Sequence, residues 1–229
     1  MTGTDTAVGK TYVAAMIARW LVAAGHKVGV YKPVASGCSR RRGQLVSEDA
    51  VALWEAAGRP GGRLVRVCPQ RFGAPVAPHL AARAEGKRLD PKRLRRGLDF
   101  WLTRSEIVLV EGVGGLLSPL GEEEYVADLA RDFGFPLVVV SKNVLGTINA
   151  TLQTLVTAAA FREGLPVAGV VLNHPVPPAA ADPSLATNRR ELASRCVPPL
   201  LAEVAYGADR FDPDVDWWRL ARQAGGGLT

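Results

Sequence analysis

The sequence predicts an α/β fold: a doubly wound, mostly parallel sheet with helices on both faces. Three observations carry that prediction. Short apolar, β-branched runs recur along the chain at Lys27–Val30, Ile107–Val110, Leu137–Val140 and Val167–Leu172. Helical patterns alternate with them at Lys10–Ala24, Glu48–Ala57, Pro91–Thr103, Val126–Asp132, Asn149–Glu163 and Ser184–Arg195. A Gly-rich loop stands at the head of the first helix. Parallel strands buried on both faces read as short apolar runs, and each needs a crossover helix. Such a sheet places its ligands beyond the carboxyl ends of its strands.

The elements fit one domain over residues 1–229, because no internal repeat or low-complexity linker divides the chain. That length buries a core without disulfides or metal. The three cysteines, Cys38, Cys68 and Cys196, lie far apart and form no CxxC pair, which fits a reducing, cytoplasmic setting. No signal peptide is read, and the longest apolar runs, such as Phe135–Val140, are too short to span a bilayer. No membrane partner is therefore expected.

The net charge of +6 points to nucleic acid or to small anions. The basic clusters Arg40–Arg42, Lys87–Arg96 and Arg189–Arg190 carry no interleaved aromatic residues. A stacking platform for nucleic acid needs them, so the clusters read as solvated faces and no nucleic-acid partner is expected. Trp217 and Trp218 are expected to pack back on the body, and Gln223–Thr229 to fray.

The stretch Gly3-Thr4-Asp5-Thr6-Ala7-Val8-Gly9-Lys10-Thr11 is read as a phosphate-binding loop of the G-x4-G-K-[ST] type, which makes the fold P-loop NTPase-like. Its glycines let backbone amides turn inward around phosphate oxygens. Lys10 reaches the β- and γ-phosphates, Thr11 offers a hydroxyl to Mg²⁺, and the helix that follows points its positive end at the anion. The loop requires a strand before it, yet only Met1 and Thr2 precede Gly3. A central strand takes about five residues, so the first strand reads as truncated, and a natural start upstream of Met1 is expected.

Three further residues fall where such a site needs them. Lys32 ends the second strand in Tyr31-Lys32-Pro33-Val34-Ala35-Ser36-Gly37. Asp49 opens a helix. Glu111 ends an apolar strand in Val110-Glu111-Gly112-Val113-Gly114-Gly115, the place of a metal-binding carboxylate.

Taken with Leu145–Asn149 and Asn173, these segments resemble the dethiobiotin synthetase family. The resemblance implies an ATP- and Mg²⁺-dependent cyclo-ligase of biotin synthesis. Its substrates are 7,8-diaminononanoate and CO₂ (or bicarbonate), and its products are dethiobiotin, ADP and phosphate. One amine captures CO₂ as a carbamate, the carbamate attacks the γ-phosphate, and the second amine closes the cyclic urea. Lys32 and Lys10 are the implied catalytic residues, since positive charge must lie between two anions. Thr11, Asp49 and Glu111 are the implied Mg²⁺ ligands. The nucleotide falls to Thr6, Ala7, Val8, Gly9, Lys10, Thr11, Tyr12, Asp49, Glu111, Gly112, Gly114 and Asn173, with Val197, Pro198, Pro199 and Glu203 around the base.

The diamine substrate falls to Ser36, Gly114, Gly146, Thr147, Ile148 and Asn149. Residues 145–149 open a helix whose free amides suit the substrate carboxylate, with Thr147 as a candidate N-cap. The family builds this site across a homodimer interface. The chain departs from the family at Ala7, often glutamate, and at Val113, where alanine is expected. The helix Ser184–Arg195 carries no tyrosine for the carboxylate, which leaves Asn188 or Arg189 as substitutes. None of the three histidines is expected to take part. Two rivals fit less well. A corrinoid amide synthetase needs a second, glutamine-hydrolysing domain. A partitioning-type ATPase needs a second lysine near the start of its loop.

Overall fold

The computed structural model describes residues 1–177 and 182–225. Strand β1 (Thr2–Gly3) leads through the Gly-rich loop into α1 (Lys10–Ala23) and β2 (Val28–Tyr31). A peripheral stretch follows: β3 (Val34–Ala35), β4 (Ser39–Arg41), β5 (Gln44–Val46), α2 (Glu48–Ala56), α3 (Leu64–Val67), β6 (Gln70–Arg71) and α4 (Pro78–Ala84). The chain returns through α5 (Pro91–Leu102), β7 (Ile107–Val110), α6 (Val126–Phe133) and β8 (Leu137–Lys142). It ends with α7 (Thr147–Ala160), β9 (Val167–Asn173), α8 (Ser184–Arg195), β10 (Leu200–Val204) and α9 (Trp217–Gly225).

The strands β1, β8, β9 and β10 pair in that order, all parallel, and β2 pairs with β7 in parallel. Met1 joins the two sets. Its α-amino group donates to the Val110 carbonyl at 2.7 Å, and its own carbonyl accepts from the Gly112 amide at 3.0 Å. The order across the sheet is therefore β2-β7-β1-β8-β9-β10. The two-residue β1 sits at the centre of this order. Beside the main sheet, β3 pairs with β6, and β4 and β5 form a hairpin whose turn holds Arg42 and Gly43 at φ 49° and 79°. Both residues of a type I′ turn need positive φ.

Local chemistry sets the helix starts. The Ser47 hydroxyl accepts the Ala50 amide at the head of α2, and Asp90 accepts the Arg93 amide before Pro91 at the head of α5. Helix α1 buries Val13, Ala14, Met16, Ile17, Ala18 and Leu21, and this wide apolar face lies against the sheet and α2. Leu94, Leu98 and Trp101 fix α5 in the same manner.

The tail packs back as its tryptophans predict. Trp217 is buried against Phe211, ring centroids 4.8 Å apart, and Trp218 stacks on His26 at 4.0 Å. Helix α9 continues through Gly225, so the expected fraying of Gln223–Thr229 does not begin at Gln223; residues 226–229 lie outside the described part. No helix among the described residues is long and apolar enough to cross a membrane.

Candidate active site

The carboxyl ends of β1, β2, β7 and β9 open on one edge of the sheet, and they deliver the loop, Lys32, Glu111 and Asn173 to it. The loop is one residue longer than its assumed type: five residues, not four, separate Gly3 from Gly9. The backbone absorbs the extra residue with positive φ at Ala7 (58°) and Gly9 (90°). Gly9 is required on two grounds. It takes the left-handed conformation at the head of α1, and a Cβ there would meet Asn173 Nδ2 at 2.1 Å. Within the loop Val8 is buried, while Thr6 and Ala7 stand exposed at the tip. The Lys10 Nζ donates to the Asp5 carbonyl at 2.8 Å, so the lysine lies along the inside of its own loop. Burial lowers the Lys10 pKa, against an opposing pull from Glu111.

Beneath the loop lies a buried charge cluster. Lys32 Nζ is 2.6 Å from Glu111 Oε1 and 3.0 Å from Asp49 Oδ2. Thr11 Oγ1 donates to the same Glu111 oxygen at 2.8 Å. Lys32 and Glu111 are only 2% and 1% exposed, whereas the Asp49 side chain faces half outward. Burial alone would lower the Lys32 pKa, but Glu111 and Asp49 reverse it and hold the lysine well above its ordinary value. Burial likewise opposes the charge on Asp49, and Lys32 outweighs it, so that carboxyl lies below its usual range. Lys32 is thus a fixed cation and not a base at neutral pH.

The cluster has a spare ligand atom. Glu111 Oε2 is buried with no hydrogen-bond partner. With the Thr11 hydroxyl and the Asp49 carboxylate, it forms an all-oxygen donor set that suits a hard divalent cation. Among the described residues no group of three or more His, Cys, Asp or Glu side chains is placed to hold a metal ion, so two carboxylates and a hydroxyl are what this site offers.

Two glycines close the floor. A Cβ on Gly115 would press on the Gly3 carbonyl at 3.1 Å, and one on Gly114, at φ 65°, would collide with the Ser118 hydroxyl. Around Gly114 and Gly115 the protein's own loops leave no room for a side chain. Val113 packs beside a second apolar cluster that includes Val34 and Val126.

Asn173 braces the loop from the far side. Its Nδ2 donates to the Val8 carbonyl at 2.9 Å, and its Oδ1 is buried with no partner. Tyr12, on the first turn of α1, donates its hydroxyl to the Ala208 carbonyl at 2.6 Å and so draws the segment after β10 to the loop.

Comparison with known proteins agrees with this arrangement. An AAA-domain family model matches residues 1–210. An ATP-dependent dethiobiotin synthetase of Rhodopirellula baltica is 41% identical over 215 residues, 89% of this chain and 82% of the relative. One from Anaeromyxobacter dehalogenans is 44% identical over 227 residues, 98% of this chain and 94% of the relative. A third, from Aromatoleum aromaticum, is 38% identical over 213 residues, with 91% of each chain covered. The chain belongs to the dethiobiotin synthetase family. With it the chain joins the ATP-dependent ligases of the P-loop α/β fold.

Against that family reading, three expected positions need correction. Val197, Pro198 and Pro199 lie before the amino end of β10, away from the carboxyl strand ends that carry the phosphate loop and Asn173. The Pro199 carbonyl accepts the Val170 amide at 2.9 Å, just before the amino end of β10 and at the middle of β9, whereas Asn173 pairs with Val204 at the carboxyl end. Val197 is 97% exposed there. The residue after β10 that does reach this side is Ala208, through the Tyr12 hydroxyl. Sequence reading missed β10 itself, and so placed the base contacts on the wrong side of it. Glu203 lies next to the correct end, but its carboxylate is already engaged by His174 at 2.6 Å and by Arg189 at 3.4 Å. His174 is therefore part of a structural network.

Neither candidate for the missing tyrosine is free. Asn188 is buried, and its Nδ2 donates to Asn143 Oδ1 at 2.7 Å and to the Val144 carbonyl at 3.2 Å. Arg189 pairs with Asp212 at 2.6 Å. Asn188 instead fixes the loop that leads into α7.

Helix α7 starts at Thr147, two residues before the expected Asn149, and its N-cap is Gly146 at φ 92°. Thr147 does not cap it. Its hydroxyl is buried against Ser141 at 2.7 Å, and Ser141 also meets Thr151 at 2.7 Å. These three hydroxyls pin α7 to β8 and leave the Gly146–Asn149 turn at the surface, with Ile148 half-buried and Asn149 exposed. Ser36 lies half-buried in the bend that follows β3.

Proposed function

We propose that this chain makes dethiobiotin from 7,8-diaminononanoate, CO₂ and ATP, working as one ligase domain over residues 1–229. The family assignment supports the overall reaction. The observation that carries the mechanism is the buried cluster of Lys32, Glu111, Asp49 and Thr11 directly under a phosphate loop.

One substrate amine attacks CO₂, and loss of a proton leaves a carbamate. A carbamate oxygen then attacks the γ-phosphorus while ADP departs. The second amine attacks the carbamoyl carbon of the mixed anhydride, and phosphate leaves as the urea ring closes. Carbamate and triphosphate repel each other, so the protein must supply positive charge between them. Lys32, kept protonated by its two carboxylates, holds the carbamate and the phosphoryl group in flight. Lys10 lies along the phosphate chain. The loop amides near Thr6, Ala7 and Val8 cradle the phosphates, and Thr11 at the head of α1 adds the helix dipole. No covalent enzyme intermediate is needed, because positioning and charge do the work.

Thr11, Asp49 and Glu111 would hold Mg²⁺, which would supply further positive charge against the triphosphate. The buried, unpartnered Glu111 Oε2 supports that assignment. The unpartnered Asn173 Oδ1 supports an adenine contact, since it accepts a donor such as an exocyclic amine. Ser36 and Gly114 contact the diamine end of the substrate. Gly146, Thr147, Ile148 and Asn149 offer amides to its carboxylate from the neighbouring subunit of a homodimer. Leu145 and Val156, 82% and 66% exposed beside and along α7, supply apolar surface for that pairing. The protein works in the cytoplasm, without nucleic acid or membrane.

Phosphate release from Mg-ATP, with diamine and bicarbonate omitted in turn, tests the reading. Release that requires both, with dethiobiotin as product, supports it. Release that proceeds without diamine rejects it.

A further inference from the structure

The two longer basic runs of the sequence meet in the fold. Arg40 from the first and Lys87, Arg88 and Arg93 from the second line one cleft of about 890 Å³, together with Arg71 of β6. Among the described residues Asp90 is the only carboxylate on its walls. The cleft is separate from the phosphate site, since none of Lys10, Lys32, Asp49 and Glu111 lines it.

The charge of this cleft is not balanced locally. Other arginines of the basic runs find carboxylates: Arg41 pairs with Glu48, Arg95 with Glu124 and Asp132, and Arg189 with Asp212. Arg40, Arg71, Arg88 and Arg93 make no ion pair among the described residues, and all four face the same cleft. Lys87 alone has a partner, Glu85 at 2.8 Å, and that carboxylate also accepts the Gly73 amide at 2.7 Å. Asp90 uses one oxygen to accept the Arg93 amide at the head of α5. A cleft lined by one sign of charge focuses the field and gathers counter-ions.

The walls are also held in place. Gln70 is buried, and its side chain bonds both backbone groups of Asp90: Nε2 donates to the carbonyl at 2.8 Å and Oε1 accepts the amide at 2.9 Å. This clamps the connection before α5 onto β6. Arg71 is half-buried and donates Nη1 to the Cys68 carbonyl at 2.8 Å, which orients its guanidinium. A guanidinium presents a planar fork of donors that matches a phosphate bidentately. The rest of the lining is apolar, with Phe72 buried, Leu45 half-buried and Val65 exposed. Such a volume, with apolar walls and a few fixed polar groups, suits a small organic molecule.

We propose that this cleft is a second anion site that takes a small organic phosphate, its phosphate on Arg71, Arg88 and Arg93 and its organic part over Leu45, Val65 and Phe72. Inorganic phosphate leaves the apolar lining wet. Single-stranded nucleic acid needs exposed aromatic faces to stack on, and Phe72, the one aromatic residue of this lining, is buried.

An amide NMR titration of the whole chain tests this, with phenyl phosphate and inorganic phosphate as probes at about 150 mM salt. Signals are read residue by residue, so binding at the phosphate loop is followed separately at Gly9 and Lys10. Phenyl phosphate is expected to shift the amides of Arg71, Arg88 and Arg93, and to bind there at least about threefold more tightly than inorganic phosphate. The double variant Arg88→Gln/Arg93→Gln is expected to weaken that binding at least about tenfold. The double variant Arg19→Gln/Arg219→Gln removes the same charge from exposed positions elsewhere and should change it less than about twofold. All four positions are exposed, so the variants fold. Shifts confined to the phosphate loop overturn the proposal. So does equal affinity for the two probes, or equal weakening in the two double variants.

Discussion

Lys32 Nζ and Glu111 Oε1 lie 2.6 Å apart, buried, at the ends of two neighbouring strands that are far apart in sequence. β2 and β7 pair in register, Tyr31 opposite Val110, so the residue after each strand meets the other. The sheet itself therefore makes the ion pair. Lys32→Ala should lower kcat about 10²–10³-fold, as loss of one preorganised charge does, with KM for ATP changed little. It should also destabilise the fold by about 3–5 kcal/mol, because Glu111 is left buried and without its cation. Steady-state kinetics and denaturant titration check the two effects separately. Near-normal turnover refutes the role given to Lys32.

Asn173 ties the loop to the end of β9. Asn173→Ala removes the bond to the Val8 carbonyl and the wall against Gly9. A hydrogen bond of this kind contributes about 1 kcal/mol, and the loop gains room to move. KM for ATP should rise about tenfold while kcat falls less. Nucleotide titration of the variant decides it, and an unchanged KM shows that the brace is irrelevant.

Much of the site was legible because its residues end strands, and strands announce themselves as short apolar runs. Lys32, Glu111 and Asn173 follow such runs directly. The β4–β5 hairpin was not legible, since its arms are Ser-Arg-Arg and Gln-Leu-Val and only Arg42-Gly43 hints at the turn. β10 was missed because Pro198 and Pro199 precede it and Glu203 interrupts its apolar pattern. That glutamate is stabilised by His174 and Arg189, which no local pattern predicts. The partners of Asn188 and Thr147 were equally hidden, because both depend on how α7 and α8 meet the sheet.

The missed strand has its own consequence. Val197 lies before the amino end of β10, so Val197→Ser should leave KM for ATP within about twofold of the parent, below 0.5 kcal/mol as for other exposed positions. A several-fold rise would return Val197 to the nucleotide site.

The central claim is that a carbamate oxygen attacks the γ-phosphorus beside Lys32. Oxygen-18 in the CO₂ follows that oxygen. A single turnover with doubly labelled CO₂, diamine and Mg-ATP, analysed by mass spectrometry of the phosphate, tests it directly. The account predicts one labelled oxygen in each phosphate and one in the urea carbonyl. Phosphate without label, formed alongside dethiobiotin, would contradict it.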